Sequence, residues 1–308
     1  MSALLTLQRA SVRFATGVQA LREVDYEVRP GEALLLVGES GSGKSTLLRT
    51  LSALQPLDSG TLLWHFEQPS FEPARASPAL VRAQRRHFGM VFQDALAAFD
   101  PRLDFGAALS EPLRLQGKPA TTGVLESAFR EVGLAPELLA RRPHELSGGQ
   151  RQRAALARAF ITGPELLLLD EAVSALDVSL RAQVLGLLLA MQRQRGIALA
   201  FVTHDLAVAR TLAHRIIVLL QGRIVEDSPA DLFFEGPLHP YARELLSRVL
   251  PPEPRAARAA VQSIPHEEPL ASSGCAYATR CSVAVAACRA SVPLLTTRAE
   301  RSAACFLV

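Results

Sequence analysis

Residues Ala33–Val37 form a short, wholly apolar run, and the nine residues after it read Gly38-Glu39-Ser40-Gly41-Ser42-Gly43-Lys44-Ser45-Thr46. An apolar run that short, bounded by Pro30-Gly31 before it and glycine after it, suits a strand buried on both faces of a parallel sheet. The nine residues fit the pattern G-x-x-x-x-G-K-[ST] in full, and Leu47, Leu48, Leu51 and Leu54 continue it with helical periodicity. Strand, glycine-rich loop and helix in that order form a cradle for phosphate. The glycines allow a path that turns successive N–H groups inward, and the helix start adds its positive dipole end. Lys44 is then placed for the β- and γ-phosphates, and the Ser45 hydroxyl for Mg²⁺. A Gly/Ser surface turn would explain the glycines, but not Lys-Ser at this offset after a buried strand.

Such a loop needs an acidic partner at the end of another strand. Leu166–Leu169 followed by Asp170-Glu171 supplies one. Asp170 is a candidate to hold Mg²⁺, and Glu171 to polarise an attacking water. A bare helix cap is the competing reading of this pair.

The rest of the chain alternates strand and helix. Leu5, Leu7, Val12, Phe14, Val24, Tyr26 and Val28 read as strands; Ile197–Val202 reads as another buried strand after a helix over Val178–Arg195. Residues 56–92 read as further short strands and 94–160 as a helical insertion. The expected fold class is α/β: a P-loop NTPase core with a parallel sheet, an N-terminal antiparallel β subdomain, the helical insertion and a small C-terminal Cys-containing extension. Five prolines between 251 and 269 mark 251–273 as a linker or surface wrap.

Composition narrows the partners. The 308 residues are 49% hydrophobic, which supports a sizeable core, and 33 basic against 30 acidic side chains leave only +3, too little for a general attraction to nucleic acid. No apolar run reaches the roughly 18 residues of a membrane span, and the N-terminus lacks a signal-peptide pattern. The chain is therefore expected to stay in the cytoplasm. All four cysteines, Cys275, Cys281, Cys288 and Cys305, fall near the C-terminus. In a reducing compartment that clustering reads as metal ligation before disulfide formation.

Leu146-Ser147-Gly148-Gly149-Gln150, taken with the two segments above, resembles the signature of ATP-binding cassette (ABC) ATPases. The resemblance covers nearly the whole chain, with a cassette over 1–235 and an extension over 236–308. It implies a head-to-tail pair of cassettes in which Ser147, Gly148, Gly149 and Gln150 of one cover the ATP of the other. It further assigns Gln93 to Mg²⁺ and to the hinge of the insertion, and Asp177 in Ser174-Ala-Leu-Asp177 to the dimer contact. His204 falls to the γ-phosphate and Phe14 to the adenine ring. Glu171 and His204 together imply a hydrolysing site. Where the family usually has Pro-Thr after the acidic pair, this chain has Ala172-Val173, which is expected to loosen that turn.

Ala97-Ala-Phe99-Asp-Pro-Arg102, Arg142-Pro-His-Glu145 and Pro237-Leu-His-Pro-Tyr241 are similar to segments of peptide-import ATPases, in which some members carry an iron–sulfur cluster on C-terminal cysteines. The resemblance implies ATP and Mg²⁺ as ligands, with a [4Fe–4S] cluster, zinc or nothing at the four thiols. The partners it implies are a second, related cassette, two membrane permeases and an extracytoplasmic solute-binding protein. Its implied place is peripheral, on the cytoplasmic face of the inner membrane. Two rival readings are a soluble nucleic-acid or translation ATPase of the same superfamily and a non-hydrolysing regulatory cassette. The solute itself is not legible, because the ATPase never touches it.

Overall fold

Every second residue of the central strands faces the same side of one sheet, and the two sides bury different partners. In the computed structural model, which describes residues 3–95, 98–173, 176–203, 205–248 and 273–308, β3 (Ala33–Val37) is buried along its whole length. Ala33, Leu35 and Val37 join a core that includes the helical insertion, whereas Leu34 and Leu36 join a second core under the N-terminal strands. The same division splits β6 (Leu166–Asp170) and β7 (Ala198–Val202), with Leu167, Leu169 and Phe201 on one side and Leu166, Leu168 and Ala200 on the other. Each fully buried leucine contributes about 1.5–3 kcal/mol. A sheet covered on both faces is the environment that a continuous apolar run requires.

Among the described residues the sheet has eight strands in the order β10-β11-β9-β8-β3-β7-β6-β5. Here β5 is Phe88–Val91, β8 Arg215–Leu220, β9 Arg223–Pro229, β10 Thr296–Arg298 and β11 Arg301–Ala303. Pairing is parallel from β8 through β3, β7 and β6 to β5, and antiparallel from β8 outward to β10. A separate antiparallel sheet joins β1 (Leu5–Arg13), β2 (Gln19–Val28) and β4 (Ser59–Trp64) in the order β2-β1-β4. The stretch expected to be strands over 56–92 also holds a helix, α2 (Pro78–Gln84), started by Ser77 capping Leu80 and by proline at the first turn.

The insertion carries α3 (Phe105–Leu115), α4 (Thr122–Glu131) and α5 (Gly148–Phe160). Beyond it, α6 spans Val178–Arg195, the residues its periodicity predicts, and ends at Gly196 in the left-handed conformation. The short helices α7 (Leu206–Leu212) and α8 (Ala230–Glu235) follow. The tail is tied back onto the core. Ser302 and Ala303 of β11 pair with Asp227 and Glu226 of β9, extending the main sheet. Glu226 is fully buried and accepts from the N–H groups of Leu238 (3.0 Å) and His239 (2.7 Å). That carboxylate fixes the entry into α9 (Pro240–Ser247), where His239 caps the Tyr241 N–H at 3.1 Å. The proline-rich stretch 251–272 lies outside the described residues.

Candidate active site

The loop after β3 turns into α1 (Lys44–Leu51) through Gly43, which has φ 105° and provides no side-chain cap. Any side chain at Gly43 would run into the Ala20 carbonyl, and one at Gly38 (φ 151°) into that of Leu219. The first-turn N–H groups of α1 are thus left without a capping side chain, which is what an anion-binding helix start needs. Lys44 is buried and its Nζ donates to the carbonyls of Gly38 and Glu39, both at 2.8 Å, and to Ser42 Oγ at 3.3 Å. Burial pushes its ammonium pKa down, while Glu171, Asp170 and Glu39 oppose that shift. An ammonium held by loop carbonyls at the mouth of such a cradle is positioned to take up phosphate oxygens.

The acidic strand meets the loop as its position at a strand end requires. Ser45 Oγ donates to Asp170 Oδ1 at 2.9 Å. Asp170 is buried, and burial raises its pKa, partly offset by the Ser45 hydrogen bond. A hydroxyl and a desolvated carboxylate side by side are hard oxygen donors of the sort that hold Mg²⁺ with one or two carboxylates plus phosphate. The residues therefore fit the ion. Next to them, Gln93 Nε2 donates to Glu171 Oε2 at 2.8 Å, so the candidate Mg²⁺ glutamine and the candidate base are in contact.

Glu171 takes a left-handed backbone (φ 50°), an unfavourable conformation for a residue with a Cβ. Its N–H donates to Val202 O at 3.0 Å, and Ala172 and Val173 behind it are buried. The turn expected to be loose without proline is therefore held by a cross-strand hydrogen bond and by apolar packing. Val202 pairs with Asp170 in the sheet. His204, expected at the γ-phosphate, lies outside the described residues, as do Ser174 and Ala175.

The signature segment starts a helix. Ser147 caps α5, accepting from Gln150 N at 3.3 Å while Gln150 Oε1 accepts from Ser147 N at 2.9 Å. A side chain at Gly149 would touch Leu176 and Leu180 of the following segment, whereas Gly148 has open space. Asp177 caps α6 through Leu180 N at 2.9 Å. Phe14 does not continue β1. It lies in the turn before β2, with its N–H donating to Val18 O, and is 38% exposed, so its ring is open to a stacking partner rather than buried in a core.

Cys275, Cys281, Cys288 and Cys305 are free thiols that line one cavity of about 10 Å³. That volume holds about one water, and among the described residues no group of three or more His, Cys, Asp or Glu side chains is arranged to hold a metal ion. Burial raises the Cys275 and Cys305 thiols above their ordinary pKa, the reverse of what a ligating thiolate needs. As placed, the four residues do not fit a [4Fe–4S] cluster. The spacing brings the thiols together, but the tail closes on itself around them.

Residues 21–174 match the family model described as ABC transporter, and residues 225–288 match the oligopeptide/dipeptide transporter C-terminal region. The chain belongs to the ABC transporter ATP-binding family. The cassette is 44% identical to a probable peptide ABC transporter ATP-binding protein of Sinorhizobium fredii, covering 94% of this chain and 83% of that one. It is 41% identical to a di/tripeptide transport ATP-binding protein of Pseudomonas aeruginosa, covering 94% and 90%. Among solved structures it resembles a dimeric post-hydrolysis state of an ATP-binding cassette bound to ADP and Pi. There the TM-score is 0.68 and the identity 27%, over 73% of this chain and 98% of that one. The cassette is an ATPase of this fold.

Two sets of residues escaped the motif reading. Arg181 joins Asp205 at 2.7 Å and the Leu176 carbonyl at 3.1 Å, tying the segment after β7 to the one that leads into α6. Glu39, an unspecified position within the loop motif, is held by Tyr241 and Arg280. The Arg181–Asp205 pair and the two grips on Glu39 have no local signal, because each joins residues far apart in sequence.

Proposed function

We propose that this chain hydrolyses ATP at a composite site shared by two head-to-tail cassettes and so powers the import of short peptides. The observation that carries the reading is the pair of contacts at one loop, Ser45 to Asp170 and Gln93 to Glu171. Gly38, Ser40, Gly41, Ser42, Gly43, Lys44 and Thr46 cradle the triphosphate, and Phe14 stacks on the base. Ser45, Gln93 and Asp170 hold Mg²⁺, which when bound neutralises charge on the β- and γ-phosphates. Glu171 takes the proton of the attacking water as oxygen bonds to the γ-phosphorus. The bond to the bridging oxygen breaks, and ADP leaves with the electron pair. His204 contacts the γ-phosphate, and the partner cassette supplies the equivalents of Ser147–Gln150 and Asp177.

The peptide assignment is supported by the match over residues 225–288 and by the names of the relatives. A groove of about 1070 Å³ between β5 and the insertion, lined by Arg82, Phe92, Pro112, Leu115 and Arg158, suits a permease's cytoplasmic loop. Two permeases, a second and related cassette, and an extracytoplasmic binding protein complete the assembly on the cytoplasmic face of the inner membrane. Among the described residues no helix is long and apolar enough to cross a membrane. The cluster reading has one support, the convergence of all four thiols on a single cavity. Iron and zinc analysis of anaerobically purified protein decides it: stoichiometric iron with an absorbance near 400 nm supports a cluster, and absence of both metals removes it.

The deciding experiment is ATP-dependent uptake of labelled di- and tripeptides by vesicles carrying the assembled transporter. Uptake that disappears with Glu171→Gln is expected. Full hydrolysis by that variant would remove Glu171 from its role, and hydrolysis without peptide transport would overturn the solute class.

A further inference from the structure

Glu39 is gripped at both ends by residues from the far C-terminal part of the chain. Its N–H donates to Tyr241 Oη at 2.8 Å, and its carboxylate faces the Arg280 guanidinium at 2.8 Å. Its carbonyl accepts from Lys44 Nζ at 2.8 Å, so one residue connects the tail to the loop lysine. The grip is built rather than incidental. Tyr241 is fully buried, its ring 5.5 Å from that of Tyr277, and the Arg280 guanidinium lies 5.4 Å from the Tyr277 ring centre. Arg280 also meets Glu244 at 3.1 Å, and the Tyr277 hydroxyl donates to the same carboxylate. Tyr241 and Glu244 lie three residues apart on α9, whose start is fixed by buried Glu226 and His239.

The electrostatic consequence follows from the place of Glu39. A carboxylate inside a loop that receives a triphosphate repels it unless a cation compensates, and in this half-buried setting the repulsion is weakly screened. Arg280 supplies that cation, and Tyr241 fixes the backbone that carries it. A purely structural role, fastening the tail, would need no contact with the phosphate loop. The tail is already fastened by β11 on β9.

We propose that Tyr241 and Arg280 are positioning residues of the nucleotide site, through which the C-terminal extension sets the affinity of the phosphate loop for Mg·ATP. This rests on the reading of residues 38–46 as that site. The extension is thereby a working part of the ATPase, and any change in its packing is transmitted to Lys44 through Glu39.

The test is equilibrium titration of the full-length chain with a fluorescent ATP analogue and Mg²⁺, with melting temperatures recorded in parallel. Arg280→Ala should weaken binding about tenfold, Arg280→Lys should restore most of it, and Tyr241→Phe should weaken it several-fold. The decisive variant is Glu39→Gln in the Arg280→Ala background. Removing the uncompensated carboxylate should return affinity to within about threefold of wild type, although the tail's anchor is still missing. An unchanged affinity in Arg280→Ala, or a loss that Glu39→Gln does not relieve, overturns the proposal. If Arg280→Ala does not fold, Tyr241→Phe decides alone, with wild-type affinity counting against it. A wild-type chain that binds no nucleotide would instead overturn the reading of the loop.

Discussion

Ser45 and Asp170 stand 125 positions apart in the chain, yet Ser45 Oγ and Asp170 Oδ1 are 2.9 Å from each other. The order of strands in the sheet makes that contact. β3 and β6 are separated only by β7, and their ends deliver the phosphate loop and the acidic pair to the same edge. On the proposed reading the two oxygens would hold Mg²⁺ instead of pairing with each other. Asp170→Asn should keep the fold, because the amide oxygen still accepts from Ser45. It should nonetheless lose the Mg²⁺ dependence of ATP binding, read as binding curves that superimpose with and without the ion.

Glu171 is expected to act on water rather than on nucleotide. Glu171→Gln keeps the size of the side chain and removes its basicity, so hydrolysis in the assembled transporter should fall by about 10²–10⁴-fold. Affinity for Mg·ATP should stay within a few-fold, and paired cassettes should accumulate in ATP on size-exclusion chromatography. Equal turnover by variant and wild type would contradict the assignment.

The loop glycines are not equivalent. Gly38 is closed in by the Leu219 carbonyl, whereas Gly41 (φ 76°) has no neighbour within 4 Å of an added Cβ. Gly41→Ala should therefore cost only the left-handed backbone strain, about 1 kcal/mol. Gly38→Ala should displace the loop and abolish nucleotide binding. Thermal melts and nucleotide titration of the two variants separate the cases, and equal losses would count against this account.

His239 makes the anchoring of α9 sensitive to acid. Burial, and secondarily Arg243, lowers its pKa to about 4, from an ordinary value near 6.5. The folded state therefore binds the proton less readily than the unfolded one. Its contribution to stability is complete above about pH 6.5 and is lost progressively as pH falls toward 4, by about 3 kcal/mol in all. Protonation also removes the Nδ1 acceptor used by the Tyr241 N–H. His239→Asn, whose side-chain oxygen can accept the same hydrogen bond, should flatten the melting temperature between pH 6.5 and 4.5 relative to wild type. An unaltered slope would place the acid sensitivity elsewhere.

Much of the candidate site was legible before any fold was known. The loop at 38–46, the capped start at Ser147, the run Leu166–Asp170 and the helix Val178–Arg195 each carry their chemistry within a contiguous stretch. Hydrogen bonds and side-chain periodicity within such a stretch depend on local spacing. Phe14 was misplaced by one strand boundary, because alternation alone does not reveal where the hairpin turn begins. The short helix Pro78–Gln84 was missed because a seven-residue segment carries too few periods to be told from a strand.

What belonged to the linear code was therefore the set of candidate site groups: lysine, hydroxyl and carboxylates, each tied to a strand end or helix start by neighbours a few residues away. Which of them touch was settled by folding alone. Ser45 meets Asp170 through strand order, and Glu39 meets Tyr241, 202 positions later, because the tail docks beside the loop. Even the cysteines, close in sequence, became neighbours in one small cavity, where the cluster implied by the family resemblance has no fitting set of ligands among the described residues. Contacts across such distances follow from how two buried faces of a sheet are covered, a property of the whole chain that no local pattern records.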